Sequence, residues 1–146
     1  MAEKKAILLM LPSVALSGAS EALDKLKKKA VLLANADSAG LEALGLELGG
    51  KKVEAAALKG AEDALLVVQG DEAALAAALE AADRRTLVVV AAADGVAFYG
   101  LAVDSKAGSV ARAVNAQDIA VTIATSVDLP ISADRTGGMI YQAMKN

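Results

Sequence analysis

Thr86-Leu87-Val88-Val89-Val90-Ala91-Ala92-Ala93-Asp94-Gly95 is the stretch that decides the fold. Its first seven residues show no polar alternation, as expected of a strand covered on both faces, and Asp94-Gly95 supplies a tight turn into the hairpin that follows. Similar apolar runs stand at Lys5–Leu11, Ala30–Ala34 and Ala64–Val68. Helical patterns fall near Ala19–Lys29, Ser38–Leu46, Asp71–Ala82, Asn115–Ser126 and Gly137–Met144. Short buried strands alternating with helices predict an α/β chain: a single three-layer domain on a mostly parallel sheet. Val53–Leu58 fits an edge strand or a helical turn equally, and Val96–Val103 reads as a short hairpin with Gly100 near its bend.

Several boundaries have a physical cause. Ser17 or Ser20 can cap the first helix, with Glu21 favoured in its first turn by the helix dipole. Lys27-Lys28-Lys29 falls at that helix's C-terminal end, where the dipole favours cations, and is read as a solvated helix end. Gly70-Asp71 opens the Ala-rich helix, and Pro130 stops the helix that begins at Asn115. Asp118 sits where a helix start favours an acid. Gly49-Gly50-Lys51-Lys52 reads as a surface loop; Arg84-Arg85 and Arg112 could meet an anionic partner, although paired arginines at a helix end are usually solvated. There is no linker, low-complexity tail or internal repeat.

Composition narrows the chemistry. The chain has 146 residues, enough for one domain to bury a sizeable core. It is 55% hydrophobic but only 2% aromatic, so Ala, Val, Leu and Ile must build that core. A net charge of −3 and the scarcity of aromatics argue against nucleic acid as a partner. No segment is long and apolar enough for a membrane span. Lys4-Lys5, the run Ala6–Leu11 and Ser17-Gly18-Ala19 outline a leader peptide, but the reading preferred here is a first β-strand in a cytoplasmic protein. Cys and His are both absent, which removes thiolate chemistry, the commonest neutral-pH base and the commonest transition-metal ligand.

Three stretches resemble the alkaline-phosphatase-like superfamily, most closely its cofactor-independent phosphoglycerate mutases of archaeal type. Those enzymes carry a strand ending Thr-Leu-Val-Ile-Val-Thr-Ser-Asp-His-Gly, whose Asp and His bind metal. Here Ala93 stands at the aspartate position and Asp94 at the histidine position. Downstream, the family's Asp-Ile-Ala-Pro-Thr-Ile, then Gly-Leu-Pro, then an acid and a Gly are matched by Asp118-Ile119-Ala120-Val121-Thr122-Ile123, Asp128-Leu129-Pro130, Asp134 and Gly137. Upstream, Leu23-Asp24-Lys25-Leu26 matches a Leu-Asp-x-Leu helix. Ala36-Asp37-Ser38-Ala39-Gly40-Leu41-Glu42-Ala43-Leu44-Gly45 resembles the nucleophile segment, with Ser38 at the nucleophile and Gly40 at a histidine. Leu11-Pro12 replaces a metal-binding aspartate at the end of the first strand. Family enzymes also carry a large insertion between the nucleophile segment and the metal-ligand strand, which this chain lacks.

The resemblance implies an alkaline-phosphatase-like core without its metal ligands. Two metal ions that activate a nucleophile need several Asp and His ligands. The matched positions offer Pro12, Gly40, Ala93 and Asp94. The candidate ligand-binding residues left at the strand ends are Ser13, Asp37, Ser38 and Asp94. Ser38 is a candidate nucleophile or, as the plainer reading, an N-cap for a helix starting at Ala39. Asp94 is a candidate metal ligand or a turn residue. Three functions follow. The first is a degenerate, non-catalytic member that acts by binding or assembly and needs no cofactor. The second is a phosphoryl-transfer or phosphate-ester hydrolase on Ser38, with Asp37 and Asp94 around one divalent metal. The third is a flavodoxin-like module for a small molecule, lacking an evident phosphate loop. Ala73–Ala82, apolar on nearly every face, is either sandwiched in the core or part of a subunit interface, so a homodimer or protein partner is a candidate, and a small anionic ligand is another.

Overall fold

The structure, a computed structural model, describes residues 4–18, 20–33, 36–60, 63–83, 85–101, 103, 109–110, 113–127, 129 and 140. In chain order these form β1 (Lys5–Leu11), α1 (Glu21–Lys27), β2 (Val31–Leu33), α2 (Leu41–Glu47) and β3 (Lys51–Lys52). A 3-10 helix (Ala55–Gly60) leads to β4 (Leu65–Gln69), α3 (Glu72–Ala81), β5 (Thr86–Ala92), β6 (Gly95–Gly100), β7 (Ser109–Val110) and α4 (Ala116–Ser126). The expected helix Gly137–Met144, together with Arg84, Arg112, Asp128, Pro130 and Asp134, lies outside the described residues.

The strands make one seven-stranded sheet in the order β3-β4-β1-β5-β6-β2-β7. Every neighbouring pair is parallel except the two made by β6. The chain is therefore α/β with a mostly parallel sheet, as expected. Alternate residues of each central strand feed two cores. Ala6, Leu8, Leu87 and Val89 pack in one cluster with Leu41 of α2 and with Ile119 and Ile123 of α4. Ile7, Leu9, Val88 and Val90 pack in the other with Leu23 and Leu26 of α1 and with Leu75 and Leu79 of α3. Burial on both faces is why β1, β4 and β5 read as unbroken apolar runs.

Local chemistry sets most boundaries. The Ser20 side chain caps α1 by accepting from the Leu23 N–H at 3.2 Å, so this helix starts at Glu21 rather than Ala19. Asp71 caps α3 through the Ala73 N–H at 3.0 Å. Asn115 and Asp118 form a capping box on α4, each side chain accepting from the other's backbone N–H. Within α4 the buried Thr122 hydroxyl donates to the Asp118 carbonyl and accepts from the Ile140 N–H. That contact ties Ile140 to the helix.

Three expectations need correction. Ser38 is not the N-cap of α2: Gly40 is, in the left-handed conformation with φ +81°, and the Ser38 carbonyl only accepts from the Leu41 N–H. Lys51-Lys52 is not a loop but a short edge strand parallel to β4, whose exposed lysines discourage further pairing. Gly100 ends β6 opposite Leu87, and its carbonyl accepts from the Val103 N–H at 3.1 Å, so the chain turns there as expected, while residues 102 and 104–108 lie outside the described residues. Lys27 is not simply a solvated helix end, because its ammonium folds back to donate to the Gly18 carbonyl at 2.9 Å. The ambiguous Val53–Leu58 segment resolves into an extended Val53, bonded to the Val67 carbonyl, followed by the 3-10 helix.

Candidate functional site

The β5–β6 turn is the centre of the strand-end edge. Register places Leu11 at the end of β1 beside Ala92 at the end of β5. It also places Leu33 at the end of β2 beside Val96 at the start of β6. The β1–α1 loop, the β5–β6 turn and the segment after β2 therefore share one edge of the sheet. Ser13, Asp37, Ser38 and Asp94 lie in those connections, the place where open α/β sheets bind ligands.

The side chains at that edge are not poised alike. Pro12 and Ser13 are exposed in the turn after β1. Asp37 is exposed, and its carboxylate accepts from the Ala39 N–H at 3.0 Å, closing a local turn. Its own N–H donates to the Val114 carbonyl at 2.9 Å. Ser38 is half-buried on the approach to α2.

Asp94 behaves differently. Its Oδ1 accepts from the Leu16 N–H at 2.6 Å and its Oδ2 from the Ser17 N–H at 3.1 Å, bonds that span 78 and 77 residues of sequence. Beside it the Ala93 N–H donates to the Val14 carbonyl at 2.8 Å. Both oxygens of the one acid at a matched ligand position thus accept backbone N–H groups that hold the β1–α1 loop. Such charge-assisted bonds are stronger than neutral ones. The Leu16 N–H, chiefly, holds the Asp94 carboxyl below its ordinary value of 3.8, against a smaller opposing effect of desolvation, with the Ser17 N–H adding to it.

A hollow of about 300 Å³ opens beside this turn. Leu16, Leu32 and Leu33 give it a largely apolar wall, and Lys27, Ser17 and Asp94 supply its polar atoms. Among the described residues, no three acids stand together in a way that could hold a metal ion. No helix among them is long and apolar enough to cross a membrane.

The donor pair of Leu16 and Ser17 was not legible in the sequence, because backbone N–H groups carry no residue signature. Lys27 had a signal, a cation at a helix end, that pointed to solvent instead of to Gly18.

The lowered Asp94 carboxyl has a consequence for acid stability. A group bound more tightly as the carboxylate stabilises the fold fully above its unfolded value and loses that contribution as pH falls through its lower folded value. Urea midpoints measured from neutral pH down through 3.8 should therefore fall less steeply with acid for Asp94→Asn than for the wild type. Parallel curves would mean that the carboxylate does not hold the loop.

No family model, curated protein or solved structure matches this chain significantly. Its function has to be argued from its own residues.

Proposed function

We propose that this chain is a degenerate, non-catalytic member of the alkaline-phosphatase-like superfamily, nearest in its motifs to the cofactor-independent phosphoglycerate mutases, and that it acts by binding or assembly. In this reading the sheet and its helices are the superfamily's three-layer core without the inserted elements. The reading includes a cytoplasmic location and excludes nucleic acid, in line with the charge of −3. It is supported by the convergence of three segments, those ending β1, following β2 and following β5, on one edge of the sheet.

One observation carries the non-catalytic part. Asp94 is the only acid at the matched metal-ligand positions, and both of its oxygens are engaged by Leu16 and Ser17. The others are Pro12, Gly40 and Ala93, none with a side-chain donor atom for a cation. A metal pair does not fit this donor set. The competing reading, a hydrolase on Ser38, needs Asp37 and Asp94 to share a cation with it, yet Asp37 is turned onto the Ala39 N–H.

The test is turnover of p-nitrophenyl phosphate and of phosphoglycerates with magnesium, manganese or zinc present. The expected result is a rate equal to the protein-free blank and unchanged in Ser38→Ala. Metal-dependent turnover that Ser38→Ala abolishes would install the hydrolase reading in its place.

A further inference from the structure

We infer that the backbone amides of Leu16 and Ser17 form an oxyanion receptor that the chain's own Asp94 carboxylate fills, closing the strand-end hollow to outside phosphate and carboxylate. This rests on the non-catalytic reading only in taking Asp94 to be free of metal. Successive N–H groups converge on the two oxygens of one carboxylate, at 2.6 and 3.1 Å. Backbone amides disposed in this way hold the oxyanions of bound ligands, and a charged acceptor strengthens each bond.

The occupant is held in place. Asp94 sits in the two-residue turn between β5 and β6, and the Ala93 N–H fixes that turn to the Val14 carbonyl at 2.8 Å. A tethered carboxylate competes with free anions at a high effective concentration, so a weak external anion does not displace it. Lys27 lines the same hollow with its ammonium anchored on the Gly18 carbonyl, which places positive charge near the receptor. Removal of the Asp94 side chain leaves the two amides, the Ser17 hydroxyl and a cation around a hollow of about 300 Å³, room for acetate or inorganic phosphate.

The proposal is tested by amide proton–nitrogen spectra of the wild type and Asp94→Ala, each titrated with acetate and separately with inorganic phosphate. In the variant the Leu16 and Ser17 resonances should shift saturably, and the same anion should raise its melting temperature. The wild-type resonances should stay in place at the same concentrations. Saturable shifts of Leu16 and Ser17 in the wild type would show the receptor open and overturn the proposal. So would a folded Asp94→Ala whose two amides ignore both anions. If Asp94→Ala does not fold, Asp94→Gly carries the test, since it also removes the carboxylate and suits a two-residue turn. Its Leu16 and Ser17 amides should then respond to anion, and silence at both would overturn the proposal. Failure here is distinct from failure of the proposed function, which would show as divalent-ion binding or turnover by the wild type.

Discussion

Phe98→Ala is expected to cost about 3–5 kcal/mol of folding stability, the range for deleting a large buried aromatic. Phe98 is the one phenylalanine of the chain and, among the described residues, the bulkiest that is fully buried. It stands in β6 between Val31 of β2 and Val89 of β5, in the cluster that α2 and α4 cover. Ala, Val, Leu and Ile make up the rest of that buried cluster, so removal of the ring leaves a space that they fill only in part. Against a total stability of roughly 5–15 kcal/mol for an ordinary domain, the loss is a large fraction. Urea denaturation measures it as a lower midpoint at unchanged slope. A loss below about 1 kcal/mol would mean that β6 does not pack as described.

Gly100→Ala is expected to be nearly as damaging, for a backbone reason. Gly100 has φ +97°, and a Cβ there would run into the Thr86 carbonyl, which already accepts from the Leu101 N–H at 3.0 Å. Left-handed geometry costs an L-residue about 1–2 kcal/mol, and the backbone displacement takes the sum to roughly 3 kcal/mol. Gly40→Ala is the internal control. Its φ is +81°, but nothing lies within 4 Å of its Cβ position, so it should lose only the conformational part, about 1–2 kcal/mol. Equal losses at the two positions, read from the same denaturation curves, would remove the clash from the account.

These two positions also mark how far the sequence could be read. Phe98 falls in a segment whose strand character is plain, yet its pairing with β2 is not, because β2 and β6 are neighbours only through the crossover of the chain. β1, β4 and β5 are legible because both faces are buried and the pattern is unbroken. The starts of α3 and α4 are legible at Asp71 and Asn115, although Asp118 reads only as an acid favoured by the helix dipole, whereas its side chain also closes a capping box with Asn115. Lys51-Lys52 is not, since an exposed edge strand shares its composition with a loop. At the site, the sequence correctly brings Asp37, Ser38 and Asp94 to strand ends but misassigns how α2 starts. Ser38 resembles a cap by residue type, whereas the left-handed Gly40 ends the turn and Asp37 takes the bond to Ala39. Asp94 reads as a turn residue or a metal ligand. It is a turn residue whose carboxylate also reaches the β1–α1 loop, a contact that no local pattern encodes.

The most direct measurement is the melting temperature of metal-stripped wild type and Asp94→Ala with magnesium, manganese and zinc. Selective binding of an ion to the native state raises it by mass action. An Asp94 held by Leu16 and Ser17 predicts no ion-dependent rise in the wild type beyond that in Asp94→Ala. A rise in the wild type that Asp94→Ala abolishes would contradict it and make Asp94 a metal ligand.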